Sequence, residues 1–339
     1  LLAAVLNHPG PASTFRIEQV PVPATADNEV LVRVKACGVS YRDVLERNGT
    51  YRRDVTFPLV QGLEIAGIVE RVGPGVRHLQ PGDRVCSKAF SSCGQCRYCR
   101  TGRETTCRQR RPVRGGYAEY TAMPEDAFVR IPHGLPFETA AVLGPGAGVA
   151  LNALRDVAHT AIGDIVLVTG ATGGVGLPAV QLARIAGATV IAVTRDAQRR
   201  DALLEAGAHH VVVSGTDNIF AAQVRTLTDD EGADVVIDTV GSRVFNEAFD
   251  SLALHGRYAM VGQLAGEEIK INPARIFFKR AQLLGVGSVS RAQLSDVIEL
   301  ATEGLLKPRI ARVMKLQDVA EAHRMVEASV LFGRIVLTP

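Results

Sequence analysis

The chain has 339 residues, 47% of them hydrophobic and 22% charged, the make-up of a soluble globular protein long enough for two domains. A net charge of +3 is too small to argue for nucleic acid or a membrane surface as partner. No run of about 20 apolar residues offers a membrane span. Residues 1–5 are apolar but lack a basic flank and run straight into a strand-like pattern, which reads as fold rather than leader, so a cytoplasmic protein is expected.

Up to about residue 125, short runs such as Val30-Leu31-Val32-Arg33-Val34, Ala66-Gly67-Ile68-Val69 and Asp83-Arg84-Val85 alternate with turn signals at Gly73-Pro74-Gly75 and Pro81-Gly82-Asp83. This spacing predicts a small antiparallel barrel rather than strand–helix–strand units. Within it, in a lobe at about 86–115, Cys93, Cys96, Cys99 and Cys107 have the spacing of a closed zinc site. Thiolates two residues apart converge on one tetrahedral ion at about 2.3 Å, and a fourth closes the shell against water and substrate. Such a zinc is structural, one per chain. Two disulfides are the other use of four crowded cysteines, but they belong to an oxidising compartment. The basic run Arg108, Arg110, Arg111 and Arg114 reads as a solvated loop, with a phosphorylated ligand as its other use; Cys37 and Cys86 read as small core residues.

From about residue 163 the pattern changes. Apolar strands at 165–169, 189–194, 210–214, 234–240, 257–262 and 283–286 alternate with helical stretches at 175–186, 198–206, 219–227 and 244–252. Six strands with crossover helices describe an α/β fold, a doubly wound parallel sheet of the Rossmann kind. The tail from about 289 carries two amphipathic helices and a last strand at 334–337, which needs a sheet to join and is expected to return to the first domain.

The first strand of this series runs into Gly170-Ala171-Thr172-Gly173-Gly174-Val175-Gly176 and then a helix. Glycine lets the backbone approach a pyrophosphate, whose charge is met by the N–H groups of the helix N-terminus. Ala171 replaces the first glycine of the strict pattern, but the strand before and the helix after supply the right context. At the end of the second strand an acidic side chain would bind the ribose of NAD. Here Thr194-Arg195 stand there, with Arg199 and Arg200 one turn on and Asp196 a step past Arg195. Arg195 can stack on adenine and pair with a 2′-phosphate, so NADPH is the expected cofactor. Val240 and Gly262 are expected to line the same crevice, and Asp238 either faces it or caps the next helix. His133, His159, His209 and His210 fall in loops or at strand edges and are not expected to be catalytic.

These residues together resemble the medium-chain dehydrogenase/reductase superfamily of zinc alcohol dehydrogenases and quinone reductases, over essentially the whole chain. The resemblance is carried, in family order, by Gly62-Leu63-Glu64-Ile65-Ala66-Gly67, Gly73, Val76, Pro81-Gly82-Asp83-Arg84-Val85, the four-cysteine lobe, Gly115-Gly116-Tyr117-Ala118-Glu119-Tyr120 and the glycine loop. It implies a GroES-like catalytic domain at 1–148, completed by 289–339, with a Rossmann domain inserted at 149–288. In the alcohol dehydrogenases a catalytic zinc is held by a cysteine, a histidine and a second cysteine. The corresponding residues here are Ser40, Leu63 and Gly146, which supply neither thiolate nor imidazole. The resemblance therefore implies a scaffold without its Lewis acid, with Asp43 and Glu64 remaining, Glu64 in a supporting part.

Zinc-free members typically reduce quinones or carbon–carbon double bonds conjugated to a carbonyl, where hydrogen bonds can meet the charge of the enolate. Residues 41–45 with 49–51, 236–241 and 304–308 resemble acryloyl-CoA-type reductases and enoyl reductase modules. The similar archaeal acryloyl-CoA reductases keep the cysteine and histidine that are absent here. The expectation is an NADPH-dependent reductase of an enoyl thioester, enone or enal. An NADPH:quinone oxidoreductase, a non-catalytic NADPH-binding protein and a zinc-independent alcohol or polyol dehydrogenase are the alternatives. Tyr51, which aligns with a tyrosine beside the acyl group in mitochondrial-type enoyl-thioester reductases, and Tyr41 are the candidate proton donors. The last Rossmann strand would be an exposed apolar edge in a monomer, and in this superfamily it pairs across a twofold axis, so a homodimer, or a tetramer, is expected.

Overall fold

The computed structural model describes residues 1–51, 55–263 and 266–339. Its contacts divide the chain into two compact units, Leu1–Gly148 with Val289–Gly304 and Pro308–Pro339, and Val149–Ser288 with Leu305–Lys307. The short piece Leu305–Lys307 belongs with the second unit, where Gln181 holds Lys307 by a pair of hydrogen bonds at 2.8 and 3.0 Å.

The first unit is built on a seven-stranded sheet centred on the long strand Glu29–Val39, which pairs antiparallel with Glu64–Val72, Tyr120–Pro124 and the terminal strand Arg334–Thr338. The chain end does return to the first domain, with Val336 opposite Gly38. A second, three-stranded sheet joins Leu2–Leu6 to Arg16–Gln19 and Leu59–Val60. Residues of these strands such as Val32, Ile65 and Ile335 meet in one core with Tyr117, Phe128 and Leu316. The helix Tyr41–Asn48 follows the long strand directly. Its start is set by a capping box, in which the Asp43 amide donates to Ser40 Oγ and the Ser40 amide donates to Asp43 Oδ2. Gly49, in the left-handed region at φ 73°, ends it.

The second unit is a six-stranded sheet whose strands are Ile165–Thr169, Thr189–Thr194, His210–Val213, Ala233–Asp238, Leu252–Met260 and Gln282–Gly285. Taken in chain order as 1 to 6, they lie 3-2-1-4-5-6, all parallel. The central strands are near-continuous apolar runs because both faces are covered. Leu167, Ile191, Val236, Phe245, Phe249 and Tyr258 belong to the core on one side. The order reverses between the first and fourth strands, and the crevice outside their carboxyl ends is where such a sheet takes a ligand.

Three elements differ from expectation. The fifth strand begins at Leu252 instead of 257, with a register shift against its neighbour between Leu252 and Arg257, and the helix before it stops at Asp250. The helix Pro273–Lys279 and the strand Ile310–Lys315 were not anticipated. Neither buries a clean apolar face: Phe277, Phe278 and Val313 point outward at 61%, 71% and 53% exposure.

Candidate active site and metal centre

The four lobe cysteines converge. All of their Sγ atoms lie within 4.8 Å of one another, with Cys93–Cys99 at 3.9 Å, Cys96–Cys99 at 3.5 Å and Cys96–Cys107 at 3.9 Å. A tetrahedron of sulfurs about 2.3 Å from a zinc ion has edges of about 3.8 Å, so the donor set fits the metal. It does not fit disulfides, and all six cysteines are unbridged. Backbone amides support the sulfurs, Cys96 N–H donating to Cys93 Sγ and Cys93 N–H to Cys107 Sγ. The backbone hydrogen bond from Cys99 pulls the Cys96 thiol down to about 6, which favours the thiolate a metal takes.

The lobe is tied to the rest of its unit by charges that the sequence reading missed. Lys88, fully buried, reaches Asp126 at 3.0 Å and the lobe residue Glu104 at 3.9 Å. Asp126 also accepts from Ser92 N and Oγ, while the Arg291 amide donates to Glu104 Oε1 at 2.7 Å. The burial of Lys88 lowers its pKa, opposed by these carboxylates.

The second metal position of the resemblance has a different content. Ser40 is spent on the capping box, its Oγ also donating to Asp43 Oδ2 at 2.6 Å. Leu63 is 3% exposed and packs into the core, and Gly146 lies in the buried stretch Leu143–Gly148. These three residues do not fit a zinc ion. Glu64 sits next to Leu63 with no exposure, and its Oε1 accepts from Arg334 at 2.5 Å while Oε2 has no hydrogen-bond partner among the described residues. Burial and the nearby Asp43 push the Glu64 carboxyl up to about 7 against the pull of Arg334. Burial raises Asp43 as well, and one of its oxygens is likewise unpartnered. Arg334 is the partner that sequence reasoning overlooked. Its signal was an arginine at the head of an otherwise apolar terminal strand.

Tyr41 and Tyr51 both come from the helix that Ser40 caps. Tyr41 is its first residue and Tyr51 lies just past its end, its amide donating to Leu45 O at 3.1 Å. Both are half-buried. The Arg42 guanidinium lies 5.0 Å from the centre of the Tyr51 ring and is itself held by Glu46 through Nε and Nη2 at 3.0 and 2.9 Å. Cys37 and Cys86, read as core residues, are fully buried.

In the second unit the glycine loop has the shape its motif requires. Gly170 takes φ 60°, and a Cβ there would lie 2.4 Å from Thr239 Oγ1. Gly173 donates its N–H to Gly170 O at 3.0 Å, and a Cβ on Gly176 would stand 2.1 Å from the same carbonyl. Thr172, Gly173, Gly174 and Val175 stay partly open to solvent, with Val175 at the N-cap of the helix Gly176–Ile185. Backbone N–H groups thus face an open crevice at a helix N-terminus, a cradle that fits a pyrophosphate. At the end of the second strand the Asp196 amide donates to the buried Thr194 side chain. Asp196 caps the turn Ala197–Arg199 and pairs with Arg199 at 3.2 Å, while Arg195 is exposed. Val240 and Gly262 sit at the carboxyl ends of the fourth and fifth strands, a Cβ on Gly262 standing 2.5 Å from Thr239 O. Asp238 caps the turn that follows its own strand rather than the helix Phe245–Asp250, whose cap is Val244.

Comparison with known proteins agrees with this architecture. The alcohol dehydrogenase GroES-like domain matches residues 26–133 and the zinc-binding dehydrogenase domain matches residues 174–303. An acryloyl-coenzyme A reductase of Sulfurisphaera tokodaii is 32% identical over 336 residues, covering 98% of each chain. A quinone oxidoreductase of Rattus norvegicus is 31% identical over 340 residues, 98% of this chain and 96% of the other. The crystal structure of AibC is similar at a TM-score of 0.93 and 38% identity, covering 100% of this chain and 95% of that one.

Proposed function

Because the chain belongs to the medium-chain dehydrogenase/reductase superfamily, a family of oxidoreductases, we propose that it reduces carbon–carbon double bonds conjugated to a carbonyl, in an enoyl thioester, enone or enal, with NADPH and without a catalytic zinc. The observation that carries this reading is the content of the second metal position. Ser40, Leu63 and Gly146 offer no thiolate and no imidazole, so no Lewis acid polarises an alcohol oxygen there. An enolate spreads its charge over the acyl group and can be met by hydrogen bonds alone. The similarity to acryloyl-coenzyme A reductases over nearly the full chain points to the same chemistry.

When bound, the reduced nicotinamide supplies a hydride to the β-carbon. What this chain must then provide is a proton at the α-carbon, and the helix Tyr41–Asn48 and the turn after it offer two phenols for it, Tyr51 ahead of Tyr41. The Arg42 guanidinium over the Tyr51 ring holds that phenol in place. For the cofactor, the absence of a free acid at the end of the second strand supports the phosphorylated nucleotide: Asp196 is occupied by its cap and by Arg199, and Arg195 is exposed for a 2′-phosphate.

The cysteine lobe is proposed to hold one structural zinc, which its sulfur geometry fits. A homodimer is supported by the strand Gln282–Gly285, which ends the sheet with one edge unpaired, and by the exposed Phe277 and Phe278 on the helix before it. Unbridged thiols suit the reducing cytoplasm. Among the described residues no helix is long and apolar enough to cross a membrane.

The test is a substrate panel. NADPH oxidation is followed with crotonyl-CoA, a simple enone, a 1,4-quinone and a primary alcohol in the reverse direction. Turnover of the thioester or enone well above the quinone is expected. Preferred quinone turnover replaces the reading with the quinone reductase, alcohol oxidation removes it, and equal efficiency with NADH and NADPH removes the cofactor preference.

A further inference from the structure

We infer that Asp238 is a positioning residue for the nicotinamide half of the cofactor, holding the turn Thr239-Val240-Gly241 against the pyrophosphate loop from beneath the crevice. This rests on the dinucleotide-binding reading above. Asp238 ends the fourth strand, in register with Thr169 of the first, and is 1% exposed. Its Oδ1 accepts three hydrogen bonds, from Thr169 Oγ1 at 2.7 Å, Val240 N at 2.9 Å and Gly241 N at 3.0 Å. Its Oδ2 accepts the phenol of Tyr258 at 2.7 Å. Burial and this neighbouring carboxylate raise the Tyr258 phenol, so it stays protonated and donates.

The same aspartate organises a third stretch through its backbone. Val261 N and Gly262 N both donate to Asp238 O, at 2.9 and 3.2 Å. Thr169 completes the latch: its hydroxyl accepts from Thr239 N at 3.2 Å, and its carbonyl accepts from Thr239 Oγ1 at 2.9 Å. There is no slack where the loops meet. A Cβ on Gly170 would stand 2.4 Å from Thr239 Oγ1, and one on Gly241 2.6 Å from Gln263 Oε1. A displaced turn would therefore press on the glycine loop.

Position decides which half of a dinucleotide this serves. In the order 3-2-1-4-5-6, one mononucleotide lies over the first three strands, where the glycine loop and Arg195 are. The other lies over strands 4 to 6, and the turn held by Asp238 opens that half. A buried carboxylate is costly to desolvate unless donors meet it. Here four donors satisfy it, and two of them are the amides of the turn itself.

The experiment compares two ligands by isothermal titration: NADPH, and 2′-phospho-ADP-ribose, which lacks the nicotinamide. Asp238→Ala strands two amides and two hydroxyls and is expected to weaken NADPH by about tenfold or more, with the fragment changed less than about twofold. Asp238→Asn keeps one acceptor oxygen for the three donors and can donate its amide to the Tyr258 oxygen, so it is expected to restore NADPH binding to within about threefold of wild type. Thr169→Val, which removes one donor to Asp238 and the acceptor of the Thr239 amide, is expected to show the same split in weaker form and decides the matter if Asp238→Ala does not fold. Equal weakening of both ligands, or no weakening of NADPH, overturns the assignment. If wild type binds NADH and ADP-ribose instead, only the cofactor preference fails and the split is read on that pair. If wild type binds no dinucleotide, the functional reading itself fails.

Discussion

Two positions where the family resemblance places a zinc ion can be compared within one unit of this chain, and their side chains differ in kind. At the lobe, four cysteines spread over 15 residues bring their sulfurs to the corners of one tetrahedron, with amides and the Lys88–Asp126–Glu104 network arranged around them. At the other position the donors are a capping serine, a core leucine and a glycine, yet the acids beside them remain, buried and incompletely paired. A structural site needs its ligands for the fold, so losing one costs stability outright. A catalytic site is held by the surrounding sheet whether or not a metal is present, so its ligands can be replaced when the chemistry changes. What stands there is electrostatic: Glu64 pairs with the Arg334 guanidinium and feels the carboxylate of Asp43.

The largest expected effect concerns the proposed proton donor. If a phenol supplies the proton, Tyr51→Phe lowers kcat on the best enoyl substrate by about 10²–10⁴-fold, while substrate KM and zinc content stay near wild type. Stopped-flow NADPH oxidation at saturating substrate measures it. Retention of full kcat in this variant assigns the proton to Tyr41 or to water.

Next comes the lobe. Replacing Cys96 by Ser removes one of four thiolates, and metal analysis should fall from about one zinc per chain toward none. A loss of a few kcal/mol is expected to lower Tm by about 5 °C or more. The rate per folded molecule should stay within about threefold, because a shell closed by four thiolates leaves no position for substrate. Loss of turnover with unchanged Tm would erase the distinction between the two positions, as would two zinc equivalents in the wild-type protein.

The legibility of the two positions in the sequence follows from range. Cys93 to Cys107 is a local pattern whose spacing alone fixes the geometry, and the glycine loop is equally local, lying between a strand and a helix. The parallel strands were visible because both faces are apolar, as in Ile165–Thr169 and Ala233–Asp238. The strand Ile310–Lys315 was not, because an edge strand carrying Arg312 and Lys315 lacks the alternation that marks a half-buried one. The Glu64–Arg334 pair spans 270 residues, and nothing local to either residue announces the other. Asp238 was visible as a strand-end acid, but its true role, gathering three turns, depends on neighbours in adjacent strands that only the register supplies.

The smallest effect tests the electrostatic remainder directly. Glu64 is packed against Arg334 of the terminal strand, and Asp43, Cys37 and Tyr117 interact with the same cluster. Burial and Asp43 raise its carboxyl from 4.5 to about 7 in the folded state. A raised acid holds its proton more tightly when folded. Its contribution is therefore fully present below about 4.5 and is lost as pH rises through about 7, amounting to about 3 kcal/mol across that window. Glu64→Gln cannot titrate. The stability of wild type relative to this variant should accordingly decline between pH 5 and pH 8, read as the difference between their denaturation midpoints across that range. Asp43, also raised by burial, is present in both proteins and cancels to first order. Parallel pH profiles would mean that Arg334 keeps Glu64 ionised throughout, and that the vacated position is balanced as an ion pair instead of by a proton.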